Sequence, residues 1–150
     1  MGKMQRDKGQ RGEREIVAMF VEVMEAVERD HGGMSKLSEM VKRNTLQSDR
    51  GGFDVANIPL LAVEVKRAET LSLNAWWGQA VEQAKNGEVP VLFYRQSRKP
   101  WRCVCYTALC EPTGEFIKYV VSNILAEDFI IGYRKTYLKF LAKHNAERAI

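Results

Sequence analysis

The sequence of 150 residues predicts an α/β fold, a mixed β-sheet flanked by helices, and three observations predict it. A stripe of apolar residues at helical spacing follows the N-terminus. Two pairs of short β-leaning runs come after it, each pair joined by turn residues, and a second helical stretch separates the pairs. Helix, hairpin, helix, hairpin is the order of a sheet covered by helices. A chain of this length with 45% hydrophobic residues buries one core, so residues 1–150 read as a single domain. Its core spans about residues 6–110, and a C-terminal helical extension spans about 114–150.

The first element follows the lead-in Lys8-Gly9-Gln10-Arg11-Gly12, where Ile16, Phe20, Val23 and Val27 recur with Val17 and Met24 alongside. That spacing predicts one long amphipathic helix ending near His31-Gly32-Gly33, with Glu22, Glu25 and Glu28 on a solvated face. Residues 34–43 suggest a short second helix, and 44–52 a polar connection. The runs Phe53–Ala56 and Leu60–Lys66 flank Asn57-Ile58-Pro59 and read as a hairpin. Asn74 is then the expected N-cap of a helix through Lys85, ended by Asn86-Gly87. In that helix Trp76-Trp77 is a pair for core or dimer packing. Val89–Tyr94 and Arg102–Tyr106 are two more strands, joined across Arg98-Lys99-Pro100. From Gly114 onward the chain reads as helix, with Tyr133, Tyr137, Leu138 and Leu141 at helical spacings among solvated lysines, a packed or dimer-forming element.

Charge narrows the class of partner. The chain holds 23 Lys+Arg against 19 Asp+Glu, a net charge of +4, which suits a polyanion without demanding one. The first fourteen residues concentrate it: Lys3, Arg6, Lys8, Arg11 and Arg14 stand against Asp7 and Glu13. Such an arm fits phosphates, and equally fits a frayed, solvated terminus. Cys103, Cys105 and Cys110 form an odd set with His31 and His144 the only histidines, so no structural zinc site is expected. Cys103 and Cys105 read as small apolar residues on one strand face, kept reduced. No apolar run approaches the roughly 20 residues of a membrane span, and no signal-peptide stretch opens the chain, so a soluble, cytoplasmic protein is expected.

The chemistry lies at Asp54 and at Glu64-Val65-Lys66, ten residues further on. Alternation along a strand puts Glu64 and Lys66 on one face and turns Val65 into the core. The hairpin brings Asp54 near that face. Two carboxylates with a backbone carbonyl, that of Val65, and waters suit a magnesium ion that must also hold a phosphate oxygen. Lys66 beside them can orient or deprotonate the attacking water and offset transition-state charge. The pattern also occurs as a plain charge pair on a wet sheet face, but Leu60, Leu61, Val63 and Val65 make this an apolar strand broken by one charged couple. Glu13, three and seven residues before Ile16 and Phe20, starts the buried stripe and looks toward the sheet, unless it serves only the helix dipole.

Taken together, Lys8-Gly9, Glu13-Arg14-Glu15-Ile16, Asp54 and Glu64-Val65-Lys66 resemble the archaeal-type Holliday junction resolvases of the PD-(D/E)xK nuclease superfamily. The resemblance runs through Val89-Pro90-Val91-Leu92-Phe93 and Trp101-Arg102, covering about residues 6–106. It implies a restriction-endonuclease-like fold in which Glu13, Asp54 and Glu64 bind the metal and Lys66 is the catalytic lysine. It also implies that Arg14 lies at the DNA face and that Arg43 belongs to a junction-contacting loop. Phe53 stands where the superfamily name has proline, and residues 30–50 are longer than the corresponding connection.

The expected function is therefore magnesium-dependent cleavage of DNA, with manganese as a substitute ion. The leading substrate is a four-way junction, nicked symmetrically by a homodimer. Lys8, Arg11 and Arg14, with Arg43, Arg50 and Arg67, would hold backbone phosphates. Two alternatives stay open: a nuclease for duplexes, flaps or ends in phage recombination, repair or restriction, and a catalytically silent DNA-binding module.

Overall fold

The stripe Ile16, Phe20, Met24 and Val27 winds helix α1 (Lys3–Asp30) in the computed structural model, which describes residues 2–31, 36–44, 53–85, 87–107 and 121–149. The helix starts before the lead-in rather than after it. Gly9 and Gly12 lie inside it although each costs a helix about 1 kcal/mol relative to alanine. Packing of the buried stripe overrides that local preference. The basic arm is thus part of a helix, not a frayed end.

Glu28 departs from the expected solvated face. It is buried, and its carboxylate accepts bonds from the Ser38 N–H at 3.2 Å, the Ser38 hydroxyl at 2.6 Å and the Tyr137 hydroxyl at 2.6 Å. Glu22 and Glu25 are exposed as expected. The clamp on Ser38 fixes a single 3-10 turn, Leu37–Met40, in place of the expected second helix. Buried Val41 then leads into β1 (Lys42–Arg43), a strand absent from the sequence reading.

Among the described residues the sheet holds six strands in the order β1 to β6: β1, β2 (Val55–Ala56), β3 (Leu61–Arg67), β4 (Val89–Arg95), β5 (Arg102–Tyr106) and β6 (Val121–Leu125). All neighbours run antiparallel except β3 and β4, which are parallel and linked through helix α2 (Leu73–Gln83). This is the mixed sheet that the element order predicted. The turn between β2 and β3 uses Asn57 at φ 69° and Leu60 at φ 73°. Helix α2 is capped from Ser72, not Asn74, and ends at Gln83.

Alternation sorts the strands into two faces. Val63, Val65, Val91, Phe93, Cys103 and Cys105 point to the side covered by α1 and by the last helix, α3 (Ala126–Arg148). Leu92, Tyr94 and Val104 point to the other side, where Leu73, Trp76 and Trp77 of α2 pack on them. Trp76 and Trp77 therefore serve the second, smaller core.

The first described residues of the tail are not helical. Val121–Leu125 is a strand, because its alternating side chains pair across the edge of β5 from Tyr106↔Val121 to Arg102↔Leu125. Residues 45–52 and 108–120, with Arg50 and Cys110, lie outside the described residues. Helix α3 is no appendage. Phe129, Tyr133, Tyr137 and Leu141, four residues apart, are all buried. Phe20 meets Phe93 edge to face at 5.6 Å, Tyr133 at 5.2 Å and Phe129 at 6.4 Å, and Phe93 meets Phe129 at 5.6 Å. Such pairs contribute about 0.5–1.5 kcal/mol each beyond the area they bury. The Tyr133 hydroxyl also donates to the Pro59 carbonyl at 2.9 Å, tying α3 to the β2–β3 turn. Among the described residues no helix is long and apolar enough to cross a membrane.

Phe129→Ala removes the ring shared by α1, β4 and α3, and is expected to lower unfolding free energy by about 3–5 kcal/mol. Urea denaturation followed by far-UV circular dichroism measures it. Unchanged stability would mean that α3 is not part of the core.

Candidate active site

The site begins where two strands part. β2 pairs with β3 at Val55↔Val63 alone. The Asp54 N–H donates to the Val63 carbonyl at 2.8 Å, and the next amide along that edge of β3, Val65, donates to Asp54 Oδ2 at 2.8 Å. A side-chain carboxylate takes the place of a strand that has turned away. Val65 faces the core as expected, and Glu64 and Lys66 lie on the opposite face beside Leu92 and Tyr94.

Glu64 is 2% exposed and Asp54 8%. Two anions so close and so dry do not both ionise unaided. Burial pushes the Glu64 carboxyl well above the usual carboxylate range, and the charge of Asp54 raises it further. Burial also raises Asp54, against the Val65 N–H that favours its ionised form. Lys66 draws both down without offsetting the desolvation. The pair therefore holds a proton unless a cation replaces it.

Hard oxygen donors that must shed a proton or gain a cation fit a divalent metal ion that prefers oxygen ligands. Among the described residues no three His, Cys, Asp or Glu side chains are gathered into a cage. Glu13 is instead engaged at its Oε2 by the Arg43 Nε, at 2.6 Å. It reaches the same cleft, a space of about 1080 Å³ that Arg43, Asp54, Val65, Lys66 and Arg67 also line.

The basic residues divide. Lys3, Lys8, Arg11 and Arg67 line an adjoining cleft of about 630 Å³. Lys8 and Arg67 border both clefts. Arg14 is exposed and lines neither. Lys8 donates to Glu69 at 2.7 Å and to Ser97 at 3.2 Å, and the Lys8 ammonium and the Ser97 hydroxyl, both donating to Glu69, hold its carboxyl down at about 2.

Several positions support the site through partnerships that the sequence reading did not assign. Glu15 Oε2 accepts the Trp101 indole N–H at 2.6 Å and an Arg95 N–H at 3.3 Å, which anchors α1 to β4 and to the start of β5. Gly12 lets the stem of Arg67 cross the helix: a Cβ there would stand 3.0 Å from Arg67 Cγ and Cδ and 3.1 Å from Trp101 Cη2. Partners at sequence separations of 55 to 89 residues cannot be read from local spacing.

A family model described as "Phage putative PDDEXK endonuclease" matches residues 4–144. No curated protein and no solved structure matches the chain.

Two predictions follow the geometry. The folded-state pKa of Glu64 lies above its ordinary 4.5, so the stability it contributes is full below that value and is lost as pH rises through the folded-state pKa. Metal-free protein should lose stability on going from pH 5 to pH 8, and Glu64→Gln should be about 1–3 kcal/mol more stable than wild type at pH 8. Thermal melts in EDTA test this, and a variant no more stable than wild type at pH 8 would refute it. In the same melts Gly9→Ala, whose Cβ meets nothing within 4 Å, should gain about 0.5–1 kcal/mol. Gly12→Ala should not show that gain.

Proposed function

The chain belongs to the phage PDDEXK endonuclease family, and from that premise we propose that it is a magnesium-dependent, structure-specific DNA endonuclease that resolves four-way junctions. The observation that carries the nuclease reading is the buried Asp54 and Glu64 pair at the parting of β2 and β3, with Lys66 beside it in an open cleft. Asp54 and Glu64, with Glu13 and the Val65 carbonyl, are the proposed metal ligands. A bound divalent cation supplies Lewis acidity and a water of lowered pKa. Lys66 is proposed to orient the attacking water and to offset charge on the pentavalent phosphorus. Manganese, with the same preference for oxygen donors, should substitute for magnesium.

Lys8, Arg11 and Arg67 along the two clefts, with Arg14 and Arg50, are the proposed phosphate contacts. Affinity from such contacts is independent of base sequence and falls steeply with salt. The junction reading rests on the resemblance carried by Lys8-Gly9 and Glu13-Arg14-Glu15-Ile16. A two-fold junction needs two equivalent cuts, which a two-fold homodimer would supply. A broader reading, cleavage of duplexes, flaps or ends, is favoured by a family description that names an endonuclease and no branched substrate. A silent binding module is disfavoured by the acids themselves, which repel phosphate when no cation offsets them.

Cleavage of an immobile four-way junction is to be compared with matched duplex, flap and single strand, in magnesium and in EDTA. Paired symmetric nicks confined to the junction are expected, abolished by EDTA and reduced about 10²- to 10⁴-fold in Lys66→Ala. Equal cutting of duplex or flap would move the protein to the broader nuclease reading, and tight binding without cutting would make it a silent module.

A further inference from the structure

Arg43 is delivered to the cleft by the strand ladder that also carries Asp54. It pairs with Val55 across β1 and β2. The following residue, Asn44, donates its N–H to the Asp54 carbonyl at 2.9 Å and its side-chain amide to the Phe53 carbonyl at 2.9 Å. The backbone of Arg43 is therefore fixed relative to Asp54. Its side chain spans to α1, where Nε donates to Glu13 Oε2 at 2.6 Å, the two side chains 23% and 10% exposed.

Glu13 stands within electrostatic reach of both buried acids, since its charge raises the pKa of each. Glu13 and Asp54 line the cleft with Glu64 buried against Asp54, and Lys66 and Arg67 line it together with Arg43, as do Arg6, Lys8 and Glu69. Any cation that settles on the acid pair competes with Arg43 for Glu13. A partly buried guanidinium that loses its carboxylate is costly until it finds another anion. In a cleft that takes DNA, the anion at hand is a backbone phosphate, a good bidentate acceptor for arginine.

We propose that Arg43 is an exchangeable counter-ion, which neutralises Glu13 in the metal-free protein and passes to a DNA phosphate when a divalent cation takes up the charge of Glu13. The proposal rests on the nuclease reading and adds a coupling to it. Metal and DNA favour each other because both gain from dissolving one ion pair, and such coupling is reciprocal. It also assigns Arg43 a conditional phosphate contact.

The test uses the full chain and two binding measurements. In EDTA, fluorescence anisotropy with a labelled duplex compares wild type, Glu13→Gln, Arg43→Ala and the double variant. Glu13→Gln should tighten DNA binding about 5-fold or more, and the gain should vanish when Arg43 is absent. A gain that persists in the Arg43→Ala background would reflect only the lost negative charge and would overturn the proposal. In calorimetric titration with Mn²⁺ and no DNA, Arg43→Ala should bind the ion several-fold more tightly than wild type. Unchanged or weaker binding would make Arg43 a mere support for Glu13 and would also overturn it. Arg43→Gln replaces the alanine variant should that fail to fold. Wild type that takes up no Mn²⁺ would bring down the metal-site reading itself, an outcome distinct from a wild type that binds the ion without competition from Arg43.

Discussion

The bond from the Val65 amide to the Asp54 carboxylate organises this molecule. It exists because β2 leaves β3 after one residue pair, and the edge amide that a longer strand would have satisfied must find another acceptor. The acceptor it finds is charged, which holds Asp54 against Glu64 at the mouth of a cleft. A β2 that continued along β3 would have filled that place with backbone. The opening in the sheet and the gathering of acids are one feature seen from two sides.

Holding acids there requires rigid surroundings, which the aromatic cluster on one sheet face and the Trp76 and Trp77 platform on the other provide. The buried stripe of α1 carries a carboxylate at each end of its apolar run. Glu28, at the far end, receives three hydrogen bonds and binds α1 to the 3-10 turn and to α3. Glu13, at the near end, receives a guanidinium from β1. One helix thereby locks the fold at one end and shapes the site at the other. The hydroxyl of Tyr137, which donates to Glu28, is itself pushed above its ordinary pKa by burial and by that carboxylate.

Electrostatics gives the cleft its direction. Lys66, Arg43 and Arg67 line the cleft with the acids, and Lys8 and Arg11 on α1 extend the basic border into the adjoining cleft. A polyanion is drawn toward the basic border but is repelled by the acids until a cation offsets them. Family membership makes the protein a metal-dependent nuclease in general terms, and this arrangement gives that chemistry a physical form. Shape selectivity for a branched substrate depends on how copies of the chain would stand relative to one another, a matter outside the geometry of a single cleft.

Local pattern by itself determined much of this protein. Period-four apolar spacing drew α1, alternation with turn residues drew β2 to β5, and the Asp54, Glu64 and Lys66 pattern gave the candidate site, since each signal lies within a short stretch of chain. The tertiary structure alone decided the remainder. Nothing local told Glu28, buried under Ser38 and Tyr137, from its exposed neighbours Glu22 and Glu25. A two-residue β1 has too little length to show alternation, and β6 is a strand because the edge of β5 stands ready to pair with it. The partnership of Glu13 with Arg43, thirty residues apart, came into being only when the sheet closed. Short-range pattern follows from the geometry of the backbone, whereas the partner of a buried charge follows from which distant segments the folded core brings together.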